Sequence, residues 1–458
     1  MTDLHRPRYH FTPRENWMND PNGLVYFDGE YHLFFQYSLP RHWGHAVSHD
    51  LVHWQELPIG ISPDELGEIW SGSAVVDWYN TTGLFAEKPG LVALFTHWNR
   101  GVQVQSLASS DDAGRTWQKY ARNPVLPNPG HADFRDPKVF WHEPTARWVM
   151  ALAAGDHIQF YCSPDLLVWS FASEFRAEIG PRAAGVWECP DLVELPIEAE
   201  DDHAWVLHLS TSGPDGSYMH TFIGTFDGTT FQAESHVVTD YGEDFYAGVT
   251  WSGIPHDHDC VLWIGWMNNW RYANAITTSP WQGAMTIPRE LRLIRTAAGL
   301  RLAQRPVREL VAKRGELFHL AGVRAAGTYA IPVASAAFEM IVELRPEQAN
   351  TFGLAVRVGN GQRTIVGYDV SGEQLFIDRR ESGQVFHPSF PGVHTAPLAL
   401  DDGLLRLHIF VDTCSVEVFA AHGTIVLTDL IFPDPEATGL AMYAEGIVEI
   451  VSLEIYPL

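Results

Sequence analysis

The feature that most constrains this chain is an internal repeat. Five short apolar runs open on polar or acidic residues, at Asn19-Asp20-Pro21, Trp70-Ser71-Gly72, Arg135-Asp136-Pro137, Glu188-Cys189-Pro190 and Phe245-Tyr246-Ala247. The unit therefore recurs at a spacing of roughly 50–65 residues, the range of propeller and solenoid arrays. After each opener comes a turn and a second apolar run, over residues 31–37, 91–96, 147–154, 203–210 and 260–267. Several units then close on a polar turn followed by an aromatic, as in Ser48-His49-Asp50 before Trp54 and Ser163-Pro164-Asp165 before Trp169. Helical periodicity is nearly absent before residue 300, and the runs are punctuated by Gly, Pro, Asp and Asn, which reads as β throughout. Five four-stranded units arranged radially make a five-bladed β-propeller. Each opener is then the innermost strand of its blade, and Asp20, Asp136 and Glu188 meet at one end of the central channel.

At 458 residues the chain exceeds the size at which one core stops growing, so a second domain is expected. The reading is all-β: a propeller over residues 1–300, a linker over 301–314, and a β-sandwich over 315–458, where apolar and polar residues alternate between Gly and Pro turns. Residues 296–314, rich in Arg, Ala and Leu, form the one helical-looking stretch. The sandwich carries no clustered acids and is assigned an accessory role. A net charge of −26 disfavours nucleic acid and anionic membranes. With 17 Trp and only 19 % charged residues, a neutral, ring-stacking ligand such as a sugar is the expected partner. Cys162, Cys189, Cys260 and Cys414 are scattered without a CxxC pair, which argues against a disulfide framework or a zinc site. His256-Asp257-His258-Asp259 reads as a solvated turn rather than a metal site, and no cofactor is expected. No apolar run reaches the roughly 18 residues of a membrane span. The first ten residues lack the apolar segment of a secretory signal, which makes the cytoplasm the expected location.

Glycosidic bonds are cut by two carboxyl groups: one protonates the leaving oxygen while the other attacks the anomeric carbon or activates water. Asp20, short and on a tight Pro-Asn-Gly turn, suits the rigid role, and the longer Glu188 suits the proton donor. Asp136 remains as a third acid that accepts hydrogen bonds from ring hydroxyls, with Arg135 fixing its orientation. A single acid at a strand end is usually a tie for a turn. Three in register at repeat openers are a constellation.

These motifs resemble the β-fructosidases, glycoside hydrolase family 32, which includes invertases, inulinases and levanases. The resemblance rests on Trp17-Met18-Asn19-Asp20-Pro21-Asn22-Gly23, Phe134-Arg135-Asp136-Pro137 and Trp187-Glu188-Cys189-Pro190-Asp191. Phe34-Phe35-Gln36-Tyr37, Trp43-Gly44-His45-Ala46, Trp70-Ser71-Gly72-Ser73-Ala74, Trp266-Met267-Asn268-Asn269-Trp270 and residues 281–290 extend it, and it continues into the sandwich over 411–433. It implies retention through a fructosyl-enzyme, with Asp20 as nucleophile, Glu188 as acid/base and Asp136 as transition-state stabiliser. It further implies that Asn19, Gln36, Trp43, Ser71, Arg135 and Trp281 hold the terminal fructose. Two departures bear on the pocket. The segment between Gln36 and Trp43 is shorter than the family's, and Trp70 stands where Phe is usual, as one wall of the substrate site. Cys189, directly after Glu188, is a candidate for tuning its pKa, the alternative being a small buried filler. A protonated Glu188 maintained by neighbouring carboxylates gives a bell-shaped pH profile centred in the mildly acidic to neutral range.

Three other readings compete. Ser110-Asp111-Asp112-Ala113-Gly114-Arg115-Thr116-Trp117 fits the Asp-box turn of sialidase propellers, but a sialic-acid carboxylate requires an arginine cluster that the sequence does not offer. A fructosyltransferase shares the covalent step and differs in the acceptor. A non-catalytic sugar-binding propeller is expected to lack one of the three acids, and all three are present here.

Overall fold

The computed structural model describes residues 3–86, 89–179, 185–214, 216–255 and 260–458. Five small antiparallel sheets stand around an axis. Their innermost strands are Asn16–Phe27, Glu68–Asp77, Arg135–His142, Val186–Pro196 and Tyr246–Thr250. Each of these packs against the next, and the fifth returns to the first. In blades two to four the strands follow in simple order from axis to rim. The first blade gains a short parallel strand, Trp281–Gln282, on its axial edge. The fifth blade supplies it, because its third strand, Arg289–Thr296, is delayed by the excursion that follows Val261–Trp266.

Separate apolar cores fill the wedges between neighbouring blades. Phe34, Trp43 and Phe95 lie between the first and second, Leu94, Phe134 and Trp148 between the second and third, and Phe160, Leu207 and Phe222 between the third and fourth. The polar turns closing the units are Asx-type. Asp50 accepts from the Val52 and His53 amides, and Asp165 from those of Leu167 and Val168, while Trp54 and Trp169 each donate the indole N–H back to the turn.

One device recurs in all five innermost strands. Pairing with the second strand slips between Met18 and Pro21, Ile69 and Gly72, Arg135 and Lys138, Glu188 and Asp191, and Tyr246 and Val249. Each slip is a β-bulge that re-aims side chains. Pro21, Pro137 and Pro190 sit in or beside bulges on strands that face the channel, where a missing N–H breaks no ladder bond. The sequence reading took Pro21-Asn22-Gly23 as a turn. These residues instead lie within one continuous strand, at its bulges, and Gly23, at φ +53°, lets the Phe34 and Trp43 rings approach to 2.8 Å of where a Cβ would stand.

The 19-residue strand Gly439–Pro457 organises the second domain. Over its first half it pairs with Thr351–Gly359, over its second with Phe338–Pro346, and along its other edge with Phe318–Ile331, so it belongs to both layers of a sandwich around one apolar core. The expected linker over 301–314 needs correction. Gly299–Pro306 is the outermost strand of the fifth blade, paired with Arg289–Thr296, and only the short 3-10 turn Arg308–Lys313 connects the domains. Buried polar contacts dock the sandwich: His10 bridges Asp412 and Glu417, Arg289 reaches Glu417, and Arg379 reaches Asp244.

Candidate active site

The five bulges bring their unpaired residues to one level of the channel. Asp20 Oδ2 accepts from Ser71 Oγ at 2.7 Å, the second blade thereby orienting the first. Asp136 takes φ +63° and Cys189 φ +47°, left-handed conformations that are uncommon outside glycine. The second of these turns the Cys189 amide to donate to Asp136 Oδ2 at 3.0 Å. Thr96 Oγ1 accepts from the Asp136 amide at 3.0 Å. Glu188, with 19 % of its side chain exposed, reaches toward solvent above the half-buried Asp20 and the buried Asp136. Arg135 Nη2 donates to Glu188 Oε1 at 3.0 Å, and its Nε lies 3.9 Å from Asp136 Oδ2.

The fifth opener contributes Tyr246, whose hydroxyl donates to Glu188 Oε2. Sequence reasoning aligned Tyr246 with the other openers but assigned it no role. Its place in the repeat was the available signal. Arg41 was also missed, and no motif points to it: Nη1 donates to Asn19 Oδ1 at 3.0 Å, which also receives Trp17 Nε1 at 2.8 Å. Trp70 is half-buried, stacked on Trp98 at 5.5 Å, with the Arg41 and Arg135 guanidinium groups over its face at 5.8 and 5.9 Å. It forms a cationic-aromatic wall at the mouth.

Not every expected ligand residue reaches this cluster. Gln36 is buried just beneath, its amide donating to the Ile69 carbonyl. Trp43 has no exposed surface and donates its indole N–H to the Trp70 carbonyl, so it buttresses the wall from behind. Trp281 lies elsewhere: its N–H bonds Asp3, and its ring packs with Cys414 and Phe432 of the sandwich. The Cys189 thiol touches Asp20 Oδ2 at 3.8 Å and Asp136 Oδ2 at 3.7 Å, so its partners are the aspartates rather than Glu188. The segment 256–259 lies outside the described residues.

Crowding sets the protonation. Burial, then the Glu188 charge, raises the Asp20 carboxyl, against the hydrogen bonds of Ser71 and Asn19. Burial pushes Asp136 up to about 7; Arg135 opposes this, and Glu188 and Asp20 add to it. Arg135 divides its charge among Asp133, Asp136 and Glu188, so it does not offset the burial of Asp136, whose carboxyl retains its proton up to near neutrality. Burial followed by the Asp20 charge raises the Cys189 thiol, and burial followed by Glu188 raises the Tyr246 phenol, so both stay protonated donors. Asp20 Oδ1 has no hydrogen-bond partner among the described residues. Below the acids the channel narrows to a cavity of about 20 Å³, room for a single water. Lys138 closes it, its ammonium bonded to Asp191 Oδ2 at 2.8 Å and to the Thr250 carbonyl at 2.9 Å. The arrangement is a blind pocket with paired carboxyls and a protonated reserve, suited to acid-assisted displacement at a sugar carbon.

Comparison with known proteins agrees with this chemistry. The family model "Glycosyl hydrolases family 32 N-terminal domain" matches residues 10–306 and "Glycosyl hydrolases family 32 C terminal" matches 310–457. The levanase of Bacillus subtilis (strain 168) is 50 % identical, over 99 % of this chain and 70 % of that protein. The crystal structure of exo-inulinase from Aspergillus awamori superposes with a TM-score of 0.92 at 36 % identity, covering 99 % of this chain and 98 % of the other. The β-fructofuranosidase from Schwanniomyces occidentalis, complexed with fructosyl-erythritol, gives 0.90 at 30 % identity with the same coverage. The propeller, the sandwich and the acid-lined blind channel are thus those of a glycoside hydrolase, and the chain belongs to glycosyl hydrolase family 32.

Proposed function

We propose that this protein is an exo-acting, retaining β-fructofuranosidase that removes terminal fructose from sucrose, fructooligosaccharides or fructans. The observation that carries this reading is the blind channel with Asp20 and Glu188 at one level of it, the first half-buried against Ser71 and the second reaching outward. Asp20 attacks the anomeric carbon of the terminal fructose as Glu188 protonates the departing glycosidic oxygen. The bond to the leaving group breaks and an ester to Asp20 forms. Glu188, now ionised, takes a proton from water, whose oxygen displaces Asp20 and releases fructose. Asp136 accepts hydrogen bonds from ring hydroxyls as positive charge develops on the sugar. Arg135 and Tyr246, bonded to the two Glu188 oxygens, fix the donor's direction.

Exo action follows from the plug at Lys138, because a chain cannot thread the channel and enters by its end. The relatives named levanase and exo-inulinase favour fructans among the substrates. Assaying fructose release from sucrose, kestose, inulin and levan tests the reading. Free fructose is expected as the first product from each substrate cleaved. A ladder of intermediate oligomers preceding fructose overturns exo action, and no release from any of the four overturns the activity.

A further inference from the structure

The far end of the channel holds a second concave site. There the later halves of the innermost strands open into a bowl of about 760 Å³. Tyr26 and Phe27 come from the strand that carries Asp20, and Phe140 and Trp141 from the strand that carries Asp136. The run from Asp20 to Tyr26, at ~3.3 Å per residue, spans ~20 Å. Lys138 and Thr250 line both the small cavity under the acids and the floor of the bowl, so they divide one site from the other.

The wall is aromatic and open to solvent. Trp78 is 57 % and Tyr79 65 % exposed. The Tyr79 ring lies 5.6 Å from Trp141, and the Trp78 ring 6.0 Å from Phe27. Trp141 is oriented by its indole N–H to Glu143, while Trp205, half-buried, rests on Phe140 at 5.4 Å. Large rings gathered around a concavity mark a binding surface. The volume falls within the roughly 300–1,000 Å³ of pockets for small ligands, whereas a protein partner takes a broad patch of about 800 Å².

The polar lining selects the class of ligand. Asp28, Glu143 and Glu194 are acceptors, and Lys138, the cation on the floor, is already paired with Asp191. An anion meets repulsion here, on a chain of net charge −26. A neutral polyol does not: its hydroxyls donate to the carboxylates while its C–H faces lie on the rings. We infer that this bowl is a second carbohydrate site, which holds a stretch of fructan remote from the acids and tethers the enzyme to polymer. The inference rests on the fructosidase reading of the acid end. It adds a grip on long substrates that raises their effective concentration and has no bearing on sucrose.

Trp78→Ala/Tyr79→Ala tests it, since both residues lie in an exposed turn where truncation leaves no core cavity. In the Asp20→Ala background, which leaves polymer intact, mobility in native gels cast with inulin or levan measures binding. Retardation is expected to weaken roughly 2- to 10-fold in the double variant. With Asp20 restored, KM for the polymer rises while kcat/KM for sucrose stays within about twofold. Undiminished retardation overturns the inference, as does equal retardation in dextran or a parallel loss of sucrose turnover. A dimer in sedimentation velocity that the double variant dissolves assigns the bowl to a second copy of the chain and overturns it too. Failure of the parent to cleave any fructoside is a separate result, which removes the fructosidase reading itself.

Discussion

Raising the pH should loosen the seam between propeller and sandwich at one residue, His10. Its Nδ1 lies 2.8 Å from Asp412 Oδ2 and its Nε2 2.7 Å from Glu417 Oε1, all three side chains without solvent exposure. Burial pushes the imidazole pKa down, but the two carboxylates outweigh this and hold it at about 9. The unfolded value is about 6.5, so the folded state binds the proton more tightly by ~2.5 units, or about 3 kcal/mol at ~1.4 kcal/mol per unit. The group's folded pKa is raised, so its contribution is fully present below pH ~6.5 and is lost as pH climbs through about 9. Between those limits unfolding releases close to one proton from His10. Calorimetric unfolding at pH ~7.8 in buffers of differing ionisation enthalpy counts that proton, and His10→Gln should release about one fewer. The variant's stability should also fall less steeply from pH 6.5 to 9. An unchanged proton count in the variant refutes the reasoning.

Three further outcomes concern the site. Glu188→Ala should lower kcat by roughly 10²- to 10⁴-fold with folding intact, and NMR of early product should show β-fructose; initial α-fructose excludes the covalent route through Asp20. Tyr246→Phe removes a hydrogen bond to a charged group, worth about 1.5–3 kcal/mol, and should cost roughly 10- to 100-fold in kcat/KM; near-normal turnover means that Arg135 alone suffices to orient Glu188. Cys189→Ser replaces a weak donor beside Asp20 and Asp136 by a stronger one, which should draw the raised Asp136 pKa down and move the pH–rate profile to lower pH; an unmoved profile makes the thiol a filler.

The architecture was legible because a propeller repeats its logic: each blade must present an opener to the axis, so five weak signals reinforce one another. The three acids came with it. Side-chain exposure did not, because it depends on packing across blades. Trp43 and Trp281 match fructose-holding positions by motif, yet their indole N–H groups bond the Trp70 carbonyl and Asp3. Tyr246 was hidden for the opposite reason: beside Phe245 it reads as an apolar wall, and only the packing of the fifth blade against the fourth sets its hydroxyl on Glu188. The outer strand Gly299–Pro306 was misplaced because it carries the half-exposed Arg301 and Arg305 among Ala and Leu, which resembles the charged stripe of a helix.

What sequence motifs cannot express is the bulge. Asn19 with Asp20, Trp70 with Ser71, Asp136 with Pro137, Cys189 with Pro190, and Ala247 with Gly248 are the pairs that drop out of register. In a regular strand, neighbouring side chains point to opposite faces of the sheet, so successive residues such as Glu188 and Cys189 could not both face the channel. The slip removes that alternation locally. It lets Asp136 and Cys189 adopt left-handed φ, so that the Cys189 amide meets the Asp136 carboxylate while Glu188, one residue earlier, still reaches Arg135 and Tyr246. The catalytic geometry is therefore a repeated, controlled defect in the ladder. Proline supports it on three of the five strands, because it has no N–H with which to restore regular pairing.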